Sequence, residues 1–190
     1  LLEYAPVTRA HVKEGGITLE ALCAAAIKQS DNTAANLLFD AIGGPKGLTE
    51  FARSLGDQVT RLDRMEPELN MAAPGDERDT TTPSAMCQTL QRLLTSDVLS
   101  QESRARLEGW MVANETGTKM IRASVPAGWQ AGDKTGRSGT GAVNDIAILR
   151  PPSGVPIFVA IYVEAPHESS EGRDVLVAQV AKAAIDLLQK

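Results

Sequence analysis

A long stretch without secondary-structure periodicity, residues 61–80, most constrains what this chain can fold into. It lies between two helical patterns, and connections of this length are uncommon in a compact domain unless they are functional or form self-packed Ω-loops. An X–Pro bond, which can be cis and so fix a loop sharply, follows Glu66. Charges of both signs alternate along the stretch, and its apolar residues are Leu62, Met65, Leu69 and Met71. The sequence therefore predicts a rigid Ω-type loop that holds one carboxylate, Glu66.

The pattern of the chain changes from helices to strands near residue 126. Helical spacing, caps and breakers predict helices at residues 18–29, 34–42, 45–55, 82–94, 100–113 and 116–123. Strands are predicted at residues 129–134, 142–149 and 157–163, with a turn at 150–154 that makes the last two an antiparallel hairpin. A terminal helix at 171–189 is predicted to bury Leu176, Val180, Ala183, Ala184 and Leu187.

This order of elements predicts an α+β fold, with a helical lobe packed beside an antiparallel β-sheet that the terminal helix covers. Two units are expected. Residues 1–125 form the mostly helical lobe with the loop 61–80, and residues 126–190 form the strands and the C-terminal helix.

Several kinds of function are poorly supported by the sequence. A net charge of −5 argues against a nucleic-acid partner, and there is no apolar run long enough to span a membrane. His11 and His167 are the only histidines, and no spacing typical of a metal site or a phosphate loop occurs, so neither a metal nor a cofactor is expected. Cys23 and Cys87 could form one disulfide, or Cys23 could be a buried apolar group or the partner of a cysteine elsewhere.

Three short strings carry the residues that could do chemistry. They are Ser30-Asp31-Asn32 at a helix–helix junction, Glu66-Pro67-Glu68-Leu69-Asn70 in the loop, and Lys134-Thr135-Gly136 at the end of a strand. Each has an ordinary structural explanation by itself: helix capping, a solvated loop carboxylate and a solvated strand end. Their combination, in this order and on these elements, is far more specific than any one of them.

In this combination the chain resembles the class A serine β-lactamases, within the larger penicillin-binding-protein-like fold family. The resemblance extends over nearly the whole chain and includes residues 2–8, 30–38, 61–70, 75–83 and 126–129, the last of these before the Lys134-Thr135-Gly136 string. It implies hydrolysis of a small-molecule β-lactam through a serine acyl-enzyme. It also implies a monomeric, periplasmic or secreted bacterial protein without a cofactor.

The resemblance implies catalytic roles for four residues. Glu66 would be the general base for a water that the amide of Asn70 also holds, and this water would hydrolyse the acyl-enzyme. Ser30 would relay a proton toward the β-lactam nitrogen. Lys134 would polarise the Ser30 hydroxyl and attract the carboxylate of the substrate.

It also implies a substrate-binding set. Asn32 would bind the amide side chain of the substrate, and Thr135 would donate a hydrogen bond to its carboxylate. The backbone at Gly136 would allow close approach, and the N–H group of Arg137 would form half of an oxyanion hole. Tyr4 would line the entrance.

The resemblance also implies one ion pair in the loop, and the chain departs from the family pattern at two points. Arg64 and Asp79 would pair across the neck of the loop and keep Glu66 in place. The nucleophile of the family is the serine of an S-x-x-K string, but no serine here has a lysine three residues later, and Thr116–Lys119 fits T-x-x-K in the wrong place. Arg137 is an unusual residue directly after K-T-G, and Arg137 and Arg173 are the candidates for the accessory arginine of the family.

We therefore expect the chain alone to be unable to form the acyl-enzyme, the nucleophile lying on an N-terminal segment that is cleaved or supplied separately. Two alternatives remain. One is a catalytically incomplete fragment or binding module of this fold. The other is a transpeptidase-like penicillin-binding protein, against which Glu66 and Asn70 argue because such enzymes lack this base.

Overall fold

The chain, described by a computed structural model for residues 1–71, 73–152 and 154–189, forms helices around a three-stranded sheet. The helices are α1 (Thr8–His11), α2 (Leu19–Lys28), α3 (Asn32–Ala41), α4 (Gly44–Ser54), α5 (Pro83–Thr95), α6 (Gln101–Val112) and α7 (Ser170–Leu188). The strands are β1 (Gln130–Arg137), β2 (Ala142–Arg150) and β3 (Ile157–Glu164). Short 3-10 turns occupy Val12–Glu14, Glu68–Asn70 and Ile121–Ser124.

Polar cap residues define where the main helices begin. The side chain of each cap accepts a backbone N–H from the first turn, which satisfies a donor that has no partner inside the helix. The caps of this kind are Thr18, Asp31, Thr82, Ser100 and Ser169. Among the described helices none is long and apolar enough to cross a membrane.

The sheet is an antiparallel meander in the order β1-β2-β3, covered on both faces. Helix α7 and the 3-10 turn Ile121–Ser124 contribute to the core on one face, made of Met120, Ile121, Val143, Ala147, Leu149, Ile161, Val177, Ala181 and Ile185. On the other face, Ile148 packs against Leu90 and Leu94 of α5 and Met111 of α6. This arrangement confirms the predicted α+β fold with an antiparallel sheet covered by the terminal helix.

The predicted core face of α7 is wrong. The structure buries Val177, Ala181 and Ile185, while Val180 and Leu187 are 50% and 70% exposed. The helix carries alanine, valine or leucine on several sides, so more than one stripe has helical spacing. Contact with the sheet, which periodicity cannot report, decides which stripe is buried.

The helix predicted at residues 116–123 is also wrong, because the structure has only the 3-10 turn Ile121–Ser124 there. The backbone N–H of Thr116 donates to the side chain of Asn114 (3.1 Å). Such a local side-chain bond competes with helix formation. The chain then bends closely around Asp133, since a Cβ added to Gly117 would lie 1.7 Å from an Asp133 carboxylate oxygen.

Because α7 buries Ile185 and exposes Leu187, substitutions at these two positions are predicted to differ in their effect on stability. Ile185→Ala should lower the free energy of unfolding by about 2–4 kcal/mol, because it removes buried methyl groups and leaves a cavity. The matched control Leu187→Ala, on the exposed side, should change it by less than about 0.5 kcal/mol. Urea unfolding of the full-length protein measures both values, and equal losses would contradict the assignment of the buried face.

Candidate active site

A cavity of about 470 Å³ lies where the α2–α3 junction, the loop 61–80 and strand β1 meet. It brings together all the residues that the sequence predicted as catalytic or substrate-binding. They are Tyr4, Ser30, Asn32, Glu66, Asn70, Lys134, Thr135, Gly136 and Arg137. The predicted loop pair, Arg64 and Asp79, lies outside this lining and acts on the loop itself.

The junction between α2 and α3 presents Ser30 and Asn32 from a firmly held corner. Asp31 is fully buried, and its carboxylate accepts the N–H groups of Val7 (2.9 Å), Thr8 (2.8 Å) and Ala34 (2.9 Å). Burial alone would raise the pKa of Asp31, but these hydrogen bonds outweigh it and hold the pKa below its usual value. The anchored carboxylate fixes the start of α3 and therefore the direction of Asn32.

Ser30 has a backbone φ of 55°, a left-handed conformation that few residues other than glycine adopt. This conformation costs conformational energy, which the anchored residues on either side of it offset. The Ser30 hydroxyl oxygen accepts a hydrogen bond from the Lys134 ammonium group at 2.5 Å. The hydroxyl proton of Ser30 therefore points away from Lys134.

Lys134 projects from β1, and its ammonium group also donates to the carbonyl oxygen of Thr135 (2.5 Å). Burial lowers the pKa of Lys134 to about 8, although the carboxylates of Asp133, Asp145 and Glu66 partly oppose this shift. The group is thus a cation at neutral pH that loses its proton in the mildly alkaline range.

Glu66 lies at the opposite wall of the cavity. One of its carboxylate oxygens accepts the Asn70 amide at 2.6 Å, and the Glu66–Pro67 bond is cis. Burial raises the pKa of Glu66 above its usual value, more than the Asn70 amide and the Lys134 charge lower it. A carboxylate with a raised pKa is a stronger base once it is ionised.

Asn36 fixes the backbone of Glu66, a role that the sequence analysis missed. Its side-chain amide donates to the Glu66 carbonyl oxygen, and its side-chain oxygen accepts the Glu66 N–H, each at 2.9 Å. Asn36 lies four residues after Asn32, on the same side of α3. This spacing could have predicted the role of Asn36 from the sequence, since it directs a second side-chain amide toward the same side of α3 as Asn32.

The ends of the loop 61–80 are held by backbone and side-chain contacts. The Arg61 N–H donates to the Thr80 carbonyl oxygen at 3.0 Å. The carboxylate of Asp79 accepts the N–H groups of Asp63 (2.7 Å) and Arg64 (2.9 Å) and binds the Arg64 guanidinium at 2.5 Å. The Asp79 side chain is only 2% exposed, so this ion pair is largely protected from water.

A hydrogen-bonded chain connects the cavity to the buried interior behind β1. The hydroxyl groups of Thr135 and Thr116 are 2.6 Å apart, and Thr116 donates to the Asn114 side chain at 2.8 Å. Asn114 donates in turn to Asp133 (2.6 Å), which also pairs with Arg122. The sequence analysis did not assign Thr116 or Asn114, which approach β1 from a separate segment.

Asp145 stands out among the buried polar groups that the structure describes. Its side chain is fully buried, and one oxygen accepts the Ile121 N–H at 3.0 Å while the other has no hydrogen-bond partner within the described ranges. Burial and the nearby Asp133 carboxylate raise the pKa of Asp145 to about 8. The carboxyl group is therefore protonated at neutral pH in the folded state.

Arg137 ends β1 at the rim of the cavity, while Arg173, the other candidate accessory arginine, does not line it. The Arg173 guanidinium binds the Glu168 carbonyl oxygen at 2.7 Å.

A Cβ added to Gly136 would meet Asn144 only at 3.8 Å, so protein packing does not require a glycine there. The absence of a side chain leaves that backbone accessible from the cavity. Tyr4, 52% exposed, lies at the mouth.

Metal-ligating and disulfide chemistry have little support in the described part of the chain. Within it, no group of three or more His, Cys, Asp or Glu side chains is arranged to hold a metal ion. Cys23 and Cys87 are both free thiols, on α2 and α5, and burial raises the pKa of each. The site thus combines a carboxylate base, a hydroxyl group held by an ammonium cation, and several amide and hydroxyl donors, which together suit proton transfer at a bound amide.

Comparison with known proteins identifies relatives of the whole chain. The model of the beta-lactamase enzyme family matches residues 2–188. The chain is 46% identical to beta-lactamase AST-1 of Nocardia asteroides over 99% of its own length and 60% of that protein. It is 49% identical to beta-lactamase L2 of Stenotrophomonas maltophilia over 99% of its length and 62% of that protein. The chain spans about three fifths of the length of these curated relatives.

Solved structures show the same similarity in three dimensions. The class A beta-lactamase of the last common ancestor of Gram-negative bacteria superimposes with a TM-score of 0.96 at 54% identity, covering 99% of this chain and 71% of that one. The putative class A beta-lactamase PenP of Rhodopseudomonas palustris gives a TM-score of 0.95 at 51% identity, covering 98% and 71%.

Because Asp79 holds the loop 61–80 in place, removing its charge is predicted to lower the stability of the protein strongly. Asp79→Asn preserves the left-handed backbone (φ 58°), which Asn also tolerates, but removes the closer carboxylate partner of Arg64 and leaves only the longer contact with Asp76 at 3.8 Å. We expect the free energy of unfolding of the full-length protein to fall by about 2–4 kcal/mol in a urea titration. The control Asp186→Asn breaks an exposed pair with Lys182 and should cost less than about 0.5 kcal/mol. Equal losses in the two variants would show that the loop pair is not stabilising.

The buried Asp145 predicts a pH-dependent stability. Because its pKa is about 8 in the folded state and near 4 in the unfolded state, folding takes up a proton between these values. Stability should therefore rise as pH falls from 8 toward 4. Asp145→Asn, neutral at every pH, should flatten this slope by up to about 1.4 kcal/mol per pH unit.

Urea unfolding at pH 5, 6, 7 and 8 measures the slope for the full-length protein and for Asp145→Asn. Asp186→Asn, at an exposed position, should retain the slope of the parent. Indistinguishable slopes for the parent and Asp145→Asn would mean that Asp145 is ionised in the fold.

Proposed function

The chain belongs to the beta-lactamase enzyme family, and we propose that the protein hydrolyses β-lactams, which are cyclic amides, through a serine acyl-enzyme. The observation that carries the proposal is the Glu66–Asn70 pair facing the Lys134–Ser30 pair across one cavity. The first pair can activate a water molecule, and the second can supply a proton to a leaving nitrogen. Hydrolysis by way of an ester intermediate needs both of these transfers.

Glu66 is the general base of the second half-reaction. Its carboxylate and the Asn70 amide would hold one water molecule between them. As the water attacks the ester carbonyl of the acyl-enzyme, Glu66 takes its proton, and the serine oxygen leaves with a proton returned to it. The raised pKa of Glu66 strengthens the base, and the contacts of Asn36 to its backbone keep it aimed.

Ser30 and Lys134 act in the first half-reaction. Because the Ser30 oxygen accepts from Lys134, its own proton is available to the β-lactam nitrogen when the ring opens, and the proton that the attacking serine loses replaces it, so Ser30 relays one proton and ends as a hydroxyl group. The positive charge of Lys134 also attracts the substrate carboxylate. Thr135 donates to the same carboxylate, for which its hydroxyl group has to turn from Thr116 toward the substrate.

The remaining cavity residues orient the substrate. Asn32 binds the amide side chain, and Tyr4 borders the entrance. The backbone N–H of Arg137 provides half of an oxyanion hole, and Gly136 admits the substrate close to the strand. The contacts of Arg64 with Asp79 keep the loop 61–80, acting as an Ω-loop, in its catalytic shape.

The serine that carries the acyl group is assigned to a part of the protein outside this sequence, since no serine here is followed by lysine at the third position. Such a segment would complement the base and the binding groups of this chain. From family membership alone we also propose that the protein is a monomer that acts in the periplasm or is secreted.

The Glu66→Gln variant of the full-length protein tests the proposal. Binding groups and nucleophile remain, whereas the deacylation base is lost, so a penicilloyl adduct should accumulate and steady-state turnover should fall by at least about 10³-fold. Intact-protein mass spectrometry after mixing with benzylpenicillin detects the adduct. Rapid turnover by Glu66→Gln without an adduct would refute the role of Glu66.

The parent protein in the same experiment separates the alternatives. A β-lactamase releases product quickly and shows no lasting adduct. A transpeptidase-like protein would keep the adduct in the parent as well as in the variant, and a binding module of this fold would form none in either.

A further inference from the structure

The backbone of Leu62, four residues before Glu66, is bound by a single side chain of α4. The Thr49 hydroxyl group accepts the Leu62 N–H at 2.9 Å and donates to the Leu62 carbonyl oxygen at 3.1 Å. Thr49 and Leu62 are both half-buried. A hydroxyl group has one proton to donate and can also accept, so both of its functions are used here. The sequence analysis assigned no role to Thr49.

Asn36 of α3 binds Glu66 in the same reciprocal way, through both its N–H and its carbonyl oxygen. The loop therefore has two reciprocal side-chain contacts, four residues apart along the chain and made by two successive helices. Between them, the N–H groups of Asp63 and Arg64 donate to the Asp79 carboxylate. The stretch of backbone that leads to the carboxylate base is thus held at both ends and in the middle.

Helix α4 also holds the segment that precedes this stretch. Arg53 follows Thr49 by one turn on the same side of α4 and donates to the carbonyl oxygens of Asp57 (2.6 Å) and Thr60 (2.7 Å). The Asp57 carboxylate accepts the Thr60 N–H at 2.8 Å and the hydroxyl group of Thr89, on α5, at 3.1 Å. Of these α4 contacts, the one made by Thr49 lies nearest along the chain to the base.

Removing the Thr49 hydroxyl group would leave two half-buried backbone groups of Leu62 without their partner. An unpaired polar group in such a place is unfavourable, and the chain relieves it by moving until water reaches the group. Any such movement displaces one end of the stretch that carries Glu66. A displacement of about 1 Å is enough to slow a reaction that depends on a positioned group.

We propose that Thr49 is a positioning residue for the deacylation base: its hydroxyl group fixes the start of the loop 61–80 and thereby the direction of the Glu66 carboxylate. This rests on the proposed hydrolysis and extends it to a residue that does not line the cavity. Thr49 acts only through the backbone of Leu62. Its loss therefore slows deacylation, which uses Glu66, and leaves acylation unchanged.

A graded series at position 49 of the full-length protein tests the proposal. Thr49→Val keeps the shape and removes the hydroxyl group, Thr49→Ser keeps the hydroxyl group, and Thr49→Cys replaces it with a weakly hydrogen-bonding thiol. With benzylpenicillin, Thr49→Val should slow deacylation about tenfold and change acylation less than about twofold. Thr49→Ser should retain the deacylation rate of the parent, and Thr49→Cys should lie between. Rapid-quench mass spectrometry of the penicilloyl adduct measures both rates.

Two controls separate positioning from general effects. Thr95→Val removes an exposed hydroxyl group that donates to the Gln91 carbonyl oxygen of its own helix at 2.7 Å, and it should change neither rate. Ile185→Ala weakens the core under α7 and should lower the unfolding midpoint without changing the ratio of the two rates. A deacylation rate in Thr49→Val that is unchanged, or that falls no more than the acylation rate, would overturn the inference and leave the proposed hydrolysis intact.

Hydrogen exchange followed by NMR tests the inference without turnover. In Thr49→Val the Leu62 N–H should exchange faster, and so should the Glu66 N–H, because the two reciprocal contacts hold one continuous stretch. Faster exchange at Leu62 alone, or at neither position, would overturn the positioning role. If the parent forms no acyl-enzyme, the proposed function fails and hydrogen exchange still decides the inference. If Thr49→Val does not fold, the comparison of Thr49→Cys with Thr49→Ser decides it by both measurements.

Discussion

The ammonium group of Lys134 joins strand β1 to the helix junction that carries Ser30, across a sequence separation of 104 residues. A buried cation is costly unless carboxylates lie close to it, and here the carboxylates of Asp133 and Glu66 favour its charged form. The approach of the strand, the junction and the loop buries Lys134 and lowers its pKa, and these carboxylates oppose that shift enough to keep the group a cation at neutral pH. The position of Glu66 also matters for the charge of Lys134, and the charge of Lys134 lowers the pKa of Glu66.

Unfavourable features are concentrated around this cation. Ser30 has a left-handed backbone, Glu66 is desolvated, and Asp145 has a buried oxygen that lacks a partner within the described ranges. Each lowers stability by itself, and such features persist only where the surroundings determine the conformation strongly. The surroundings here are the buried cap Asp31 and the loop contact made by Asp79, which are well satisfied by hydrogen bonds. The hydrogen bonds of Asp31 and Asp79 beside the cavity thus stabilise the fold and offset the destabilising features at the cavity wall.

The residues that the sequence predicted as catalytic or substrate-binding line one cavity, and most of them lie in short strings at the ends of helices, strands or loops, where a local pattern can be recognised. The residues that the sequence analysis missed, such as Asn36 and Thr116, contact partners 30 and 19 residues away. A pattern along the chain does not report such distant pairings. The face of α7 was wrong for a related reason, since only the packed sheet distinguishes Ile185 from Leu187.

The contacts that hold the base and the binding groups lie within this chain. Asn36 fixes the backbone of Glu66, and Asp79 fixes the loop 61–80. In the proposed function the acyl-bearing serine therefore meets groups whose positions are already set by other interactions. Donors and charges that are oriented before the reaction require little reorganisation as the transition state forms, which is the main way such a site lowers a barrier. For the proposed function, the rigidity of the loop therefore matters because it places the charge of Glu66 before the substrate binds.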